Sequence, residues 1–327
     1  MRGRHLEPGA RLHPYDGEDA ALRLEAGRCG VPLSRFGYDQ SGTKTYRFSR
    51  LGYRSEELDP SAARRIFVCG ASVAFGSGLD AHESWPALFR DDYARLHGLD
   101  PRAVNLLNFS SPLAPPDYVV RTLLTQASRV RPDVMIAEFS MFRRIEVVRD
   151  GRFAAVDVPL GVRVHATRRT WRTTSPRLTR VSAQDHFLAF LRSALLLQSF
   201  AEARGIVCLL LWDRRPHEPY AALFDEPAFA PLLGLLDRRA FCDFSVFDRD
   251  VFVDRSADGI HPGPAAARII ASRLTGKYRA RGIVGAIPVR SDPGGEHGAQ
   301  DDRSQGPESL QGSRKPHLGA VHHAAGA

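Results

Sequence analysis

Three residue types that together can attack a carbonyl group occur in two segments of the sequence. Ser72 stands in "RIFVCGASVAFGSG" (65–78), just after an apolar run, and Asp258 and His261 stand in "DRSADGIHPGPAAARII" (254–270). A serine hydroxyl is a poor nucleophile at neutral pH, so it needs an imidazole to take its proton and a carboxylate to orient that imidazole. Asp258 precedes His261 by three residues, so one short turn can present both side chains. The three residues are therefore candidates for nucleophile, general base and orienting acid.

Each of these residues also has a purely structural interpretation. Ser72 can be a small residue that fills a tight strand-to-helix turn, and an Asp before a Gly, as at 258, is ordinary turn chemistry. His261, which precedes Pro262, can be a capping or packing residue. The coincidence of all three residue types in the expected order and places favours the catalytic interpretation.

Other chemistries fit the same segments less well. The glycines at 70, 76 and 78 match neither G-x-G-x-x-G nor the Walker pattern, and no Lys-Ser/Thr follows them. The G-x-S-x-G elbow of α/β-hydrolases would need a glycine where Ala74 stands, and it usually lies after several strands. The histidines at 82, 97, 165, 186 and 217 form no H-x-x-x-H or Cys/His cluster. We therefore expect neither a metal nor a cofactor.

Strands and helices alternate along the chain from residue 65. Apolar runs predict strands at 65–69, 103–109, 133–139, 206–212 and 241–247. Amphipathic patterns predict helices at 83–98, 116–130, 183–205 and 263–282. This alternation predicts an α/β protein with a parallel sheet that is covered by helices on both faces. In such a sheet functional groups collect at the carboxyl ends of the strands, where Ser72 is expected.

Three segments resemble a known family. "VCGASVAFGSG" is similar to a block in which the nucleophilic serine directly follows the first strand, and Asp258, His261 and Pro262 match a D-x-x-H-P block before a terminal helix. The upstream "RFSRLGYRSEELD" (47–59) is similar to an N-x-x-G-F-R segment of bacterial members. Over roughly residues 45–280 the chain resembles the SGNH (GDSL-like) serine hydrolases. The resemblance implies a three-layer α/β/α fold of flavodoxin type with a five-stranded parallel sheet, and hydrolysis of carboxylic esters by Ser72, His261 and Asp258.

The two middle blocks of the family pattern are altered. Leu113 stands five residues after Asn108, where the family has a glycine whose N–H helps to bind the oxyanion, and Phe142 replaces the asparagine of the G-x-N-D block. Phenylalanine donates no hydrogen bond, and loss of one oxyanion donor typically costs ~10²–10³ in rate. The resemblance implies that the oxyanion is bound by backbone N–H groups, and the candidates are those of Ser72, Leu113 and Ser110. The guanidinium of Arg143 or Arg144 is the candidate substitute for the missing asparagine.

Composition shifts divide the chain. Residues 1–60 are predicted to be an N-terminal extension that packs on the core, and residues 61–287 the hydrolase domain, with an insertion at about 143–183. Residues 288–327 are rich in Gly, Ser, Pro and charge. Such a composition buries too little apolar surface to offset its ordering entropy, so this segment is predicted to be a disordered tail.

Two segments between the predicted strands are candidates for shaping a substrate site. Residues 162–181 carry six arginines and one tryptophan. They form either a solvated insertion or mobile lid, or a docking face for an acidic partner such as an acyl carrier protein or an anionic sugar. The apolar "PYAALFDEPAFAPLLGLL" (219–236) is a candidate lid or wall for an acyl chain.

The composition also bears on the cellular compartment of the protein and on the kinds of molecule that it binds. The net charge is +8, but only three of the 45 basic residues are lysines and the arginines are scattered without interleaved aromatics. We therefore expect no nucleic-acid partner. Four cysteines without a C-x-x-C pair indicate a reduced compartment. No signal-peptide pattern and no apolar run near ~20 residues is present, which predicts a soluble, cytoplasmic protein.

These features together predict a serine esterase that acts on a small-molecule acyl ester through an acyl-enzyme intermediate. An O-acyltransferase would use the same three residues and differ only in how well water is excluded. A catalytically impaired relative, which keeps the fold and serves as a binding or scaffold protein, is the alternative that the altered middle blocks suggest.

Overall fold

A computed structural model describes the chain in ten stretches and one further residue. These are residues 46, 48–50, 52–112, 114–139, 144–149, 152–157, 163–165, 177–179, 182–212, 220–242 and 244–281, in which the segments between 144 and 179 are described by their backbone alone. The predicted tail at 288–327 lies outside these ranges.

Eight strands and seven α-helices are defined in these ranges. The strands are β1 (Arg64–Cys69), β2 (Val104–Asn108), β3 (Val134–Phe139), β4 (Arg144–Arg149), β5 (Arg152–Asp157), β6 (Arg163–His165), β7 (Arg177–Thr179) and β8 (Val207–Trp212). The helices are α1 (Ser72–Phe75), α2 (Trp85–Leu96), α3 (Pro116–Arg129), α4 (Ala183–Ala203), α5 (Tyr220–Leu223), α6 (Ala230–Leu235) and α7 (Pro264–Ala280).

Four of the strands form one parallel sheet in the order β2-β1-β3-β8. Ile66 of β1 is in register with Leu106 on one side and with Val134 on the other, and Val134 in turn pairs with Val207. A single parallel bridge between Leu210 and Phe241 extends this order by one position, where the sequence predicts a fifth strand. The predicted α/β fold with a parallel sheet is confirmed.

The sheet is buried on both faces because apolar side chains alternate along each strand. Phe67 and Cys69 of β1 belong to the hydrophobic cluster that includes residues of α3 and α4. Ile66 and Val68 belong to the opposite cluster, with residues of α2 and α7. Strands covered on both faces are continuous apolar runs, which is why "RIFVC" and "VCLLLW" show no polar alternation. The result is three layers, with helices on either side of the sheet.

The direction in which successive strands are added to the sheet reverses at β1, which makes β1 a topological switch point. From β1 the chain crosses to β2 on one side, and it later returns to β3 on the other side of β1. Ligand sites of open α/β sheets lie in the crevice at such a point, outside the carboxyl ends of the strands. The segment that follows β1, which begins with Gly70, leaves the sheet at this crevice.

The region between β3 and α4 contains two antiparallel hairpins. β4 pairs with β5, and β6 pairs with β7. Both hairpins fall in the insertion that the sequence predicts at about 143–183. Within the described residues no helix has the length and apolarity needed to cross a membrane.

Candidate active site

Ser72 is the first residue of α1, immediately beyond the carboxyl end of β1. Its side chain is half-buried. α1 is a single turn that ends at Gly76, whose left-handed backbone (φ +79°) lets its N–H bond to the carbonyls of Ser72 and Val73. The N–H groups at the start of a helix have no intrahelical acceptor, and the N–H of Ser72 is the first of these in α1.

Gly70 lies in close contact with Glu138 of β3. A Cβ at position 70 would lie 2.5 Å from Glu138 Cβ and 2.8 Å from Ala74 Cβ, so only glycine fits between β1 and α1. The Gly70 carbonyl accepts a hydrogen bond from the Ser111 N–H at 3.0 Å. The small residues after β1 are therefore explained by close packing of the turn against its neighbours.

Asn108, at the end of β2, fixes α1 from the other side. Its side-chain amide donates to the Ala74 carbonyl at 2.8 Å. Its Oδ1 accepts the N–H of Ser110 at 3.0 Å. The Ser110 N–H, one of the oxyanion donors implied by the sequence, is thus engaged within the loop. Leu113 and Arg143, the other two candidates besides Ser72, lie outside the described residues.

Asp258 and His261 form a hydrogen-bonded pair. His261 Nδ1 lies 2.6 Å from Asp258 Oδ2, and the Asp258 side chain is only 3% exposed. Asp258 Oδ1 accepts hydrogen bonds from the Ser256 hydroxyl and from the N–H groups of Ile260 and His261, at 2.8–3.0 Å. Because Nδ1 is bound to the carboxylate, Nε2 is the ring nitrogen that remains to exchange a proton.

The hydrogen bonds keep the Asp258 carboxylate ionised. Burial alone would raise its pKa, but hydrogen bonds from the His261 ring, from the N–H groups of His261 and Ile260 and from Ser256 lower the pKa well below its usual range. A carboxylate that is charged and fully bonded can orient an imidazole and stabilise its protonated form without taking the proton.

Asp254 anchors the loop that carries this pair to the start of α7. Its carboxylate accepts the N–H groups of Ala265 and Ala266 at 3.0 and 2.8 Å. A Cβ at Gly263 would lie 2.5 Å from Asp254 Oδ2, so the close approach requires glycine there. The loop closes on itself through the Ser256 N–H, which donates to the His261 carbonyl at 2.8 Å.

The turn after Ser72 packs directly against the Asp258 loop. The Gly78 carbonyl accepts the Ala257 N–H at 3.1 Å, and a Cβ at Gly78 would lie 3.0 Å from Asp258 Cγ. Val73 and His261 both line a small cavity of about 10 Å³. Within the described part of the chain, no hydrogen bond joins the Ser72 hydroxyl to His261. The three predicted residues thus lie on two segments that contact each other, and the Asp–His pair is formed.

Glu138 is a buried acid outside the set of predicted site residues. Its side chain is completely buried, and neither carboxyl oxygen has a hydrogen bond of good geometry among the described residues. Burial raises its pKa to about 8, and the facing N–H groups of Ala74, Ala71 and Trp85 offset this only in part. One acid inside the apolar run "DVMIAEF" was the signal that could have identified it.

A cavity beside β8 lies apart from these residues. Its volume is about 550 Å³, and its wall includes Trp212, Phe224, Leu233 and Leu236 together with Lys277. Part of the apolar segment 219–236 therefore does line a cavity. The described residues of its wall include none of the three predicted catalytic residues.

A metal-dependent site has no support in the described ranges. No group of three or more His, Cys, Asp or Glu residues in these ranges is arranged to hold a metal ion.

Comparison with known proteins gives structural neighbours only. No protein-family model and no curated protein matches the sequence. The psychrotrophic esterase EstA from Pseudoalteromonas sp. is 15% identical with a TM-score of 0.41, and the match covers 67% of this chain and 98% of that one. The lipase/acylhydrolase from Enterococcus faecalis is 15% identical with a TM-score of 0.39, over 70% and 99% of the two chains.

A third neighbour is a G-D-S-L family protein from Desulfitobacterium hafniense DCB-2. It is 11% identical with a TM-score of 0.38, over 65% of this chain and 99% of that one. These neighbours are of the kind that the sequence resembles. At TM-scores below 0.5 the likeness carries no argument about chemistry, which rests on the residues of this chain.

Proposed function

We propose that this protein is a serine esterase or acyl-transfer enzyme with Ser72 as nucleophile, His261 as general base and Asp258 as the orienting acid. The observation that supports this most directly is the 2.6 Å hydrogen bond between His261 and a buried, fully bonded Asp258. The contact between Gly78 and the loop of Asp258 adds to it, because Gly78 belongs to the turn that follows Ser72.

The reaction takes place in two steps. Ser72 Oγ attacks the carbonyl carbon of an acyl ester while His261 Nε2 takes the hydroxyl proton. The tetrahedral intermediate then collapses, the C–O bond to the alcohol breaks, and the alcohol leaves with the proton from His261. Water attacks the acyl-enzyme in the same way in hydrolysis, and an acceptor hydroxyl does so in acyl transfer. Asp258 stabilises the imidazolium in both steps.

The negative oxygen of the intermediate is bound by backbone N–H groups. The N–H of Ser72, in the first turn of α1, is one donor, and the N–H of Leu113 is proposed as the second. The Arg143 guanidinium is the proposed substitute for the asparagine that Phe142 replaces. Without that asparagine the rate of turnover is expected to be low for an enzyme of this type.

The proposal also includes the class of substrate and a role for the Arg-rich segment. The substrate is a small acyl ester, and the Arg-rich segment 162–181 is the proposed contact for an acidic partner or for an anionic group on the substrate. The organisation into an extension (1–60), a hydrolase domain (61–287) and a tail (288–327) remains a prediction, as does a cytoplasmic location.

A fluorophosphonate probe tests the nucleophile. The probe forms a covalent bond with an activated serine, so wild-type protein is expected to be labelled and peptide mapping to find the label on Ser72. Ser72→Ala is expected to abolish labelling, whereas Ser128→Ala, at an exposed position of α3, is the matched control. An unlabelled wild-type protein, or a label on Ser77, would overturn the assignment.

The alternative is a binding protein that keeps the fold without turnover. It is favoured by the engaged N–H of Ser110 and by the lack of a described hydrogen bond between Ser72 and His261. Calorimetric binding of an ester such as p-nitrophenyl acetate by folded protein that neither hydrolyses it nor reacts with the probe would establish this alternative.

A further inference from the structure

Arg54, from the segment "RFSRLGYRSEELD", is a buried cation bound to the turn after Ser72. Its side chain donates from Nη1 to the carbonyls of Phe75 and Gly76, at 2.9 and 2.6 Å, and from Nη2 to the carbonyl of Leu79 at 2.6 Å. The residue is only 7% exposed. Three backbone carbonyls within five residues thus converge on one guanidinium.

Tyr46 also binds this turn. The Arg54 guanidinium carbon lies 4.1 Å from the centre of the Tyr46 ring. The Tyr46 hydroxyl accepts the N–H of Gly78 at 2.6 Å, and the Tyr46 and Phe75 rings are in edge contact with centres 5.4 Å apart. Arg54 and Tyr46 therefore hold both the carbonyls and an N–H of residues 75–79.

The geometry requires an arginine. A guanidinium is a planar fork of five donors, so it can bind several carbonyls at fixed directions, whereas a lysine ammonium is a point charge on a flexible stem. Carbonyls at the end of a helical turn carry partial negative charge, which a buried cation stabilises. Gly76 closes α1, so the guanidinium lies at the carboxyl end of the turn that Ser72 begins.

The turn held in this way joins the two halves of the proposed site. On the N-terminal side residues 75–79 continue from α1, which begins with Ser72, and on the other side the Gly78 carbonyl accepts the N–H of Ala257, in the loop of Asp258 and His261. A displacement of residues 75–79 would move the serine relative to the imidazole. Misplacement by about 1 Å can lower a rate by ~10²-fold.

We propose that Arg54 is a positioning residue that clamps residues 75–79 and thereby sets Ser72 relative to His261. The inference rests on the proposed function for its effect on rate. The clamp itself is a property of the fold, and it can be measured without any activity.

The experiment compares Arg54→Lys with Arg90→Lys. Both arginines line the same cavity of about 400 Å³, and Arg90 forms ion pairs with Glu56 and Asp91 rather than with the turn. Two readouts are used: the rate of fluorophosphonate labelling at a temperature well below the melting transition, and hydrogen exchange of the amides of Gly76, Gly78 and Ala257. Tyr46→Phe is the milder second variant, which keeps the ring and removes the hydroxyl that accepts the Gly78 N–H.

Arg54→Lys is expected to lower the labelling rate about 10–100-fold and to speed exchange of the three amides, while Arg90→Lys changes neither. Tyr46→Phe is expected to produce a smaller change in the same direction, and it decides the question if Arg54→Lys does not fold. Unchanged labelling together with a lower melting temperature would overturn the inference, because a merely structural arginine would affect stability alone. If wild-type protein is not labelled, the proposed function fails, and the exchange rates still decide whether the clamp exists.

Discussion

Gly70 and Glu138 lie in contact across β1 and β3, and this contact places an uncompensated acid directly below the turn that carries Ser72. The missing side chain of Gly70 is what lets the Glu138 stem fit beneath α1. Because the carboxyl group is cut off from water and poorly bonded, its ionisation works against the packing of this turn.

The stability of the protein is therefore expected to fall as the pH rises past the ordinary pKa of a glutamate. Burial raises the pKa of Glu138 from 4.5 to about 8, so between these values the folded state holds a proton that the unfolded state has lost. In that window the free energy of unfolding decreases with pH. Glu138→Gln removes this dependence, and the slope is expected to become shallower by up to about 1.4 kcal/mol per pH unit.

Urea titrations at about pH 5.5 and about pH 7.5 measure this difference in slope. Glu202→Gln, at an exposed position of α4, is the control and is expected to keep the wild-type slope. Equal slopes for wild type and Glu138→Gln would show that the acid is not held neutral in the folded protein.

Substitution of Gly78 is expected to disrupt the contact between the turn after Ser72 and the loop that carries Asp258 and His261. In Gly78→Ala the new Cβ would lie 2.3 Å from Ser256 Oγ and 3.0 Å from Asp258 Cγ, and the backbone at φ +73° disfavours any side chain by ~1–2 kcal/mol. Both stability and the rate of fluorophosphonate labelling are therefore expected to fall.

Gly98→Ala separates backbone strain from steric clash. Gly98 has a similar φ of +64°, but a Cβ there meets no atom within 4 Å. This variant is expected to lose a similar ~1–2 kcal/mol of stability and to keep the wild-type labelling rate at a temperature where it is folded. A labelling rate for Gly78→Ala as high as that of Gly98→Ala would contradict the proposed role of the contact.

Asp258→Asn is expected to lower labelling of Ser72 by ~10³–10⁴-fold, because an amide cannot hold the His261 ring in the tautomer that accepts a proton at Nε2. The measurement is the second-order rate of labelling near neutral pH. Asp250→Asn, which removes an exposed carboxylate that contacts Arg273, is the control and is expected to label at the wild-type rate.

Asp258→Asn is also expected to change how the free energy of unfolding depends on pH. Hydrogen bonds lower the pKa of Asp258 below its unfolded value, so the ionised carboxylate stabilises the fold above that unfolded value and this contribution is lost as the pH falls. Asp258→Asn is expected to be less stable than wild type near neutral pH, with a difference that shrinks on acidification. A difference that is constant with pH would mean that the carboxylate is not preferentially stabilised by folding.

The local parts of this site could be predicted from the sequence. Strand β1 and helix α3 were predicted within one residue of their observed ends, since continuous apolar runs and amphipathic periods are local signals. The three-residue spacing of Asp258 and His261 was enough to predict that they pair. The glycines after β1 indicated a turn with little room for side chains, and Gly70 and Gly76 explain why.

The long-range parts could not be predicted. The bonds from Arg54 to the carbonyls of Phe75 and Leu79 join residues 21 and 25 positions apart, and no periodicity encodes such a contact. The sequence marks Asn108 only through the family pattern, and nothing local predicts that its amide donates to the Ala74 carbonyl. The meeting of Ser72 with His261 remains a prediction, because it depends on how two loops settle against each other.

The altered G-x-N-D block provides a test by gain of function. Position 142, outside the described residues, holds phenylalanine where the family pattern has an oxyanion-binding asparagine. If Ser72 forms a tetrahedral intermediate with only part of its oxyanion donors, Phe142→Asn supplies a missing donor and is expected to raise kcat for p-nitrophenyl acetate by about 10-fold or more. Phe142→Leu, which adds no donor, is the matched control. The gain should vanish in the double variant with Ser72→Ala, and a gain that persists there would mean that the hydrolysis does not pass through Ser72.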